Sequence, residues 1–248
     1  MSSAASPGKE ATTEMGLIRR YRTALARHHR SRGFGIHSPS AYRFVTEVLR
    51  ERCPYYAYDQ LRSWRKRLLA QGVRPMMSNH EAQLLFRVAN HFAPQHVWQV
   101  GHGGILPLVT LLLTSSKTQV YLYDHKPIDT RKMLGEHFDT ERIHLMSDLT
   151  PPFRGAWGDG YRAAPFILIN SLPADEDDHA QLGNVLGKCL VENETVLILR
   201  NLHRDPAMKQ MWHQAKAMMT YGQTFTNEKT AILVARPKIP LQHFEIWL

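Results

Sequence analysis

The stretch 97-VWQVGHGGILPL-108 starts as an apolar run and then places three glycines within four residues. Val97–Val100 reads as a buried strand. Gly101, Gly103 and Gly104 read as a turn whose missing side chains let the backbone approach a small ligand. Pro107 suits only the first turn of a helix, so the next helix is expected to start late. The G-x-G-x-x-G dinucleotide pattern fails because Leu106 takes the place of its third glycine. A nicotinamide oxidoreductase is therefore the weakest of the function classes this loop suggests.

Around this loop, short apolar runs alternate with helical segments. The runs HVWQV (96–100), QVYLY (119–123), RIHLM (142–146), PFILIN (165–170) and TVLILR (195–200) read as five buried strands. Helical crossovers between them imply parallel pairing in a layered α/β domain. YGQTFTN (221–227) and TAILVARP (230–237) are separated only by a short polar turn, which predicts a terminal antiparallel hairpin. A helix over 205–220 is expected before it. Ser78 followed three residues later by Glu81 is a capping-box signature for the helix HEAQLLFRVANHF. The acidic run ADEDD (174–178) precedes a helical segment, where carboxylates oppose the helix dipole, and is not read as a metal site.

The 248-residue chain is 43% apolar and 21% charged, a globular composition with no apolar run near the ~20 residues that span a bilayer. Its first residues lack the apolar core of a secretory signal, and Cys53 and Cys189 form no paired motif. Both features suit a reducing cytoplasm. The net charge of +9 lies in the N-terminal third: residues 1–74 carry a balance of +10 and the remainder −1. We read residues 1–14 as a disordered tail and 15–78 as a basic helical extension. Residues 79–248 read as the α/β domain. Within the extension, Leu17, Ile18, Tyr21 and Leu25 form a narrow apolar stripe, and helices are expected near 39–51 and 59–70. An anionic partner such as nucleic acid is open for this basic segment. A solvated helix surface is favoured, because basic and aromatic residues do not interleave as in single-strand binders.

Five parallel strands closed by an antiparallel hairpin resemble the Rossmann-like sheet of class I S-adenosylmethionine (SAM) dependent methyltransferases. The chain is also similar, over residues 16–248, to a group of bacterial methyltransferase-like proteins. The shared stretches are GFGIHSP (33–39), YRFVTEVL, PYYAYD, LLFRVANHFAP, the glycine loop, a histidine-containing turn after the fifth strand, and QHFEI (242–246). The resemblance implies SAM as cofactor and an unidentified methyl acceptor. It carries the methionine-holding loop onto Gln99, Gly101, Gly103 and Gly104, and the ribose acid onto Asp124, 23 residues after Gly101. It carries the adenine contact onto Asp148 and the fourth-strand position onto Asn170. Asp124 could also simply end its strand, and Asp148 could only hydrogen-bond its own loop.

The chain departs from that pattern in ways that bear on chemistry. Related metal-dependent O-methyltransferases use an acid after the fourth strand and an acidic pair after the fifth, hard ligands for Mg²⁺. Here those places read Asn170 and Arg200-Asn201, so no metal is expected. His203, in RNLHRD, matches the family's histidine and is the candidate general base, with a structural role as the alternative. Gln99 lacks the charge that would favour an ammonium group. The loop after Gly104 is one residue short, and the segment between the N-terminal helices and the sheet lacks a longer insert of the family. Two functions follow: an active, metal-independent methyltransferase, or a catalytically degenerate relative with a binding or scaffolding role. The oligomeric state is left open.

Overall fold

The computed structural model describes residues 35–124, 133–152, 165–192 and 194–247. The tail 1–14, the stripe over 15–30 and the first two residues of GFGIHSP lie outside them. The five expected strands are β1 (His96–Val100), β2 (Gln119–Tyr123), β3 (Ile143–Leu145), β4 (Phe166–Ile169) and β5 (Thr195–Leu199). All are parallel to their neighbours within the order β3-β2-β1-β4-β5. The hairpin β6 (Gln223–Thr226) and β7 (Ala231–Ala235) adds β7 antiparallel to β5. Its turn closes on Asn227, whose Oδ1 accepts from the amides of Lys229 and Thr230. This is the Rossmann-like order of a class I methyltransferase sheet.

An eighth strand, β8 (Gln242–Glu245), continues the sheet parallel to β6. The sequence pattern predicts no strand here, where QHFEI carries only the family resemblance. The residues of β8 alternate between half-buried and exposed, and Phe244 stacks on Phe225 with centroids 5.3 Å apart.

The central strands β1, β4, β5 and β7 bury both faces, and the pleat sorts the sheet's side chains into two layers. Val97, Val120, Phe166, Leu168, Val196, Ile198 and Ile232 join the core beneath the N-terminal helices. Trp98, Val100, Ile167, Ile169, Leu197, Leu199 and Leu233 join the core beneath the helices of the C-terminal half. The first layer holds α1 (Pro39–Arg43), α2 (Tyr56–Ala70), α3 (Asn79–Phe92) and α4 (Ile105–Leu112). The second holds α5 (Glu176–Glu192) and α6 (Pro206–Met218). Among the described residues no helix is long and apolar enough to cross a membrane.

Two helix starts behave differently from each other. At α3 the reading holds: Ser78 Oγ accepts from the Glu81 amide at 3.2 Å, and Glu81 Oε2 accepts from the Ser78 amide at 2.8 Å. At α4 the expected late start is wrong, because the helix begins immediately after Gly104. Pro107 is its third residue. The first four helical N–H groups have no intrahelical acceptor, so the missing donor removes no bond there.

The expected helix over 39–51 is α-helical only to Arg43 and continues as a π-helical turn over Phe44–Leu49. Its terminal carbonyls meet a buried arginine of α3. Arg87 Nε donates to Val48 O and Nη2 to Leu49 O, both at 2.8 Å, while Nη1 donates to the Tyr58 hydroxyl. One guanidinium thereby ties the end of the π-helical turn and α2 to α3. Arg87→Ala leaves three buried acceptors without a donor and should lower unfolding free energy by about 3 kcal/mol, measured by urea denaturation.

Candidate functional site

The sheet order reverses between β1 and β4, since β1 continues to β2 on one side while β4 continues to β5 on the other. Ligands of open α/β sheets bind at the carboxyl ends of the strands at such a switch point. A cleft of about 650 Å³ lies there. Its floor comes from residues after β1 (His102), after β4 (Asn170–Leu172) and after β5 (Asn201, Arg204, Asp205). Its far wall is the Arg74–Ser78 segment leading into α3.

The glycine loop is packed by the protein's own groups. A Cβ on Gly101, which has φ +78°, would sit 2.0 Å from the Ser171 carbonyl oxygen. A Cβ on Gly103 would sit 2.4 Å from the Asn170 amide, and one on Gly104 3.1 Å from the Met76 side chain. Ser171 Oγ accepts from the His102 amide at 2.9 Å. The loop therefore needs glycine for close approach, but much of that approach is to β4 and to Met76.

Asp124 directly follows β2 beside this loop, its side chain only 4% exposed. Its Oδ2 lies 3.1 Å from His102 Nδ1. Gln99 is also buried, and its Oε1 has no partner among the described residues. Asn170 is fully buried: its Oδ1 accepts from Arg200 Nη1 at 2.7 Å, and its carbonyl accepts from Asn201 Nδ2 at 3.0 Å. Arg200 Nη2 donates to Met76 O at 3.0 Å. Burial pushes the Arg200 guanidinium down to about 10, opposed by nearby Glu81. It stays cationic near neutral pH.

The structure thus brings Gln99, the three glycines, Asp124 and Asn170 to one end of β1, β2 and β4, and of these Asn170 lines the cleft while Asp124, Gln99 and the glycines lie outside its lining. Two other candidates stand apart. Asp148 is exposed, and its Oδ1 accepts from the Thr150 amide at 2.7 Å, as its loop-capping alternative foresees. His203 does not line the switch-point cleft. It lines a second cavity of about 450 Å³ with Trp212, His213 and His243. Its Nε2 accepts from Arg204 Nε at 3.2 Å, and its pKa is lowered by burial and by the cations Arg204 and Lys229. The acidic run behaves as a helix start: Asp175 Oδ1 accepts from the amides of Asp177 and Asp178.

Sequence reasoning missed three contributors. His102 lies between two of the glycines, and pairing of β1 with β2 in parallel is enough to bring it to Asp124. Met76 and Arg74 sit in a segment read only as a break between helices. Their role follows from α3 delivering its own N-terminus to the strand ends, which no local pattern reports.

No family model matches the sequence, and no curated protein sequence matches it. Among solved structures, the chain is similar to a methyltransferase from Geobacter sulfurreducens, at 16% identity over 82% of this chain and 98% of that one, with a TM-score of 0.47. It is similar to an O-methyltransferase from Bacillus cereus in complex with SAH, at 14% identity over 79% and 97%, TM-score 0.46. It is also similar to the O-methyltransferase TomG from Streptomyces achromogenes in complex with SAM, at 12% identity over 78% and 94%, TM-score 0.48. Strand order and the terminal hairpin, rather than these distant likenesses, carry the fold.

Two predictions follow from the packing. Gly103→Ala should cost about 2 kcal/mol by forcing Asn170 aside. In the Gly103→Ala/Asn170→Ala double variant the losses should be less than additive in denaturant melts, because truncating Asn170 frees the space. Glu81 offers a pH test. Burial raises its pKa, but the Ser78 bonds and the Arg200 and Arg204 charges bring it below the ordinary carboxylate value. A lowered folded pKa gives stability that is present above the unfolded pKa and is lost as pH falls through the folded one. Glu81→Gln should therefore cost about 1 kcal/mol at neutral pH, with the gap closing in acid below the usual carboxylate range.

Proposed function

We propose that this protein binds SAM at the switch-point cleft and acts as a metal-independent methyltransferase. The observation that carries the reading is the placement of Asp124, next to the glycine loop and at the end of the strand beside β1. Two carboxylate oxygens suit a vicinal diol, so the ribose end of the ligand fits. The other end fits less freely, since the Asn170 amide holds the space over Gly103. Asp124 and the 101–104 backbone would hold the ligand, with Asn170 moving from Gly103 as it enters. When bound, SAM supplies an activated methyl group on a sulfonium, so positioning of the acceptor does much of the work.

Metal independence rests on Arg200. Its guanidinium occupies the place of a metal-binding acid and points one nitrogen at Asn170 Oδ1, an atom that could otherwise face a cation. Cytoplasmic residence belongs to the same proposal, because Cys53 and Cys189 are free thiols.

A second reading, a binding protein on this fold without turnover, is favoured by one observation: His203 opens onto a different cavity. The cleft then has no imidazole from the β5 turn to take a proton from an acceptor.

Calorimetric titration with SAM and with S-adenosylhomocysteine tests the binding claim. We expect heat with both, and at least tenfold weaker binding for Asp124→Ala and Asp124→Asn, the loss of charge-assisted bonds. No heat from either ligand contradicts the proposal, and unchanged affinity in both variants contradicts the ribose assignment. Binding without S-adenosylhomocysteine formation across phenol, carboxylate and amine acceptors would select the second reading.

A further inference from the structure

We propose that the switch-point cleft takes an anionic acceptor, gripped through a carboxylate or phosphate group by Arg65, Arg74 and Arg204. Naming the ligand an acceptor rests on the function proposed above; the anion site itself does not.

The three arginines reach the cleft from separate parts of the fold: α2, the segment before α3, and the turn after β5. Among the described residues none of them pairs with a carboxylate. Arg65 Nε donates to Met77 O at 3.4 Å, and Arg204 Nε to His203 Nε2 at 3.2 Å. Arg74 has no hydrogen bond or ion pair among those residues. Two acids line the same cleft, but both are committed to helix starts. Glu81 is locked in the Ser78 capping box, and Asp205 Oδ1 accepts from the amides of Ala207 and Met208. The lining is thus three guanidiniums against two carboxylates already engaged by N–H and O–H donors.

A second observation points to the same ligand chemistry. Asn170 lines the cleft and is fully buried, and its Nδ2 is a donor with no acceptor among the described residues. The orientation of the amide is set by Arg200, which can only donate and therefore takes Oδ1. A buried donor left without an acceptor is costly, and an incoming anionic oxygen would remove that cost. Guanidiniums bind carboxylate and phosphate oxygens in a two-pronged way that a neutral group cannot match. A volume of about 650 Å³ accommodates a small molecule beyond the anionic group itself. The second cavity lacks this character, because Lys209 and Lys216 are balanced there by Glu228 and Glu245.

The test uses the full chain with 4-hydroxybenzoate and phenyl phosphate, against neutral 4-hydroxybenzamide, by calorimetry. At least one anionic probe should bind tenfold or more tightly than the amide, and the better of the two identifies the preferred group. Arg74→Gln and Arg204→Gln, both at exposed positions, should weaken that binding at least fivefold while leaving the circular dichroism spectrum of the folded chain unchanged. Repeating the titration in saturating S-adenosylhomocysteine should leave anion affinity within twofold. Equal binding of the amide, no anion binding at millimolar concentration, or indifference to both substitutions overturns the proposal. Competition by S-adenosylhomocysteine also overturns it, since the arginines would then serve that ligand's own carboxylate. If S-adenosylhomocysteine fails to bind while the anion does, the function reading fails and the anion site stands.

Discussion

Arg200 leaves the end of β5 with 3% of its surface exposed, and its guanidinium bonds in two directions at once. One nitrogen holds the Asn170 side chain at the end of β4, and another holds the Met76 carbonyl in the segment that starts α3. A buried cation is costly unless its donors are used. Here the cost is offset by these acceptors and by the nearby carboxylate of Glu81, itself fixed in a helix cap. The arrangement locks three pieces of chain that are distant in sequence. Met76 adopts a left-handed backbone, φ 57°, which non-glycine residues rarely take without being held.

The remainder of the cleft follows from that clamp. Residues on alternate strand positions share a face, so Gln99, Asn170 and Arg200 all project toward the layer of N-terminal helices. They form a polar cap over an apolar core, at the carboxyl ends of β1, β4 and β5. Because Arg200 claims Oδ1 of Asn170, the amide turns its NH₂ group to the other side, and the side chain lies against Gly103. The same contacts that narrow the glycine cradle therefore create a donor-rich floor. The arginines above it extend this positive character outward.

The sheet was legible because its central strands are short, rich in β-branched residues and buried on both faces, so apolar runs such as PFILIN and TVLILR stand out from the helices. The hairpin was legible from the brief polar turn at Asn227–Lys229. β8 was not, because a four-residue edge strand with two polar outward positions looks like any loop. The start of α4 was misjudged by treating Pro107 as a boundary, although any first-turn position tolerates it. At the site, Asp124 could be reached by counting from the glycine loop, since strand spacing determines it. His203 was placed by its position after β5, but a turn residue can face either side of the sheet, and here it faces α6 and β8. The arginine cluster had no sequence signature, because its members are 9 and 130 residues apart and meet only through tertiary packing.

The clamp built on Arg200 borders the ligand site proposed at the β1/β4 switch point. A crystal structure of the protein grown with S-adenosylhomocysteine tests it most directly. Ligand density is expected over residues 101–104, with the ribose on Asp124 and the Asn170 amide withdrawn from Gly103. Density in the His203 cavity instead, with Asn170 still seated against Gly103, would contradict it.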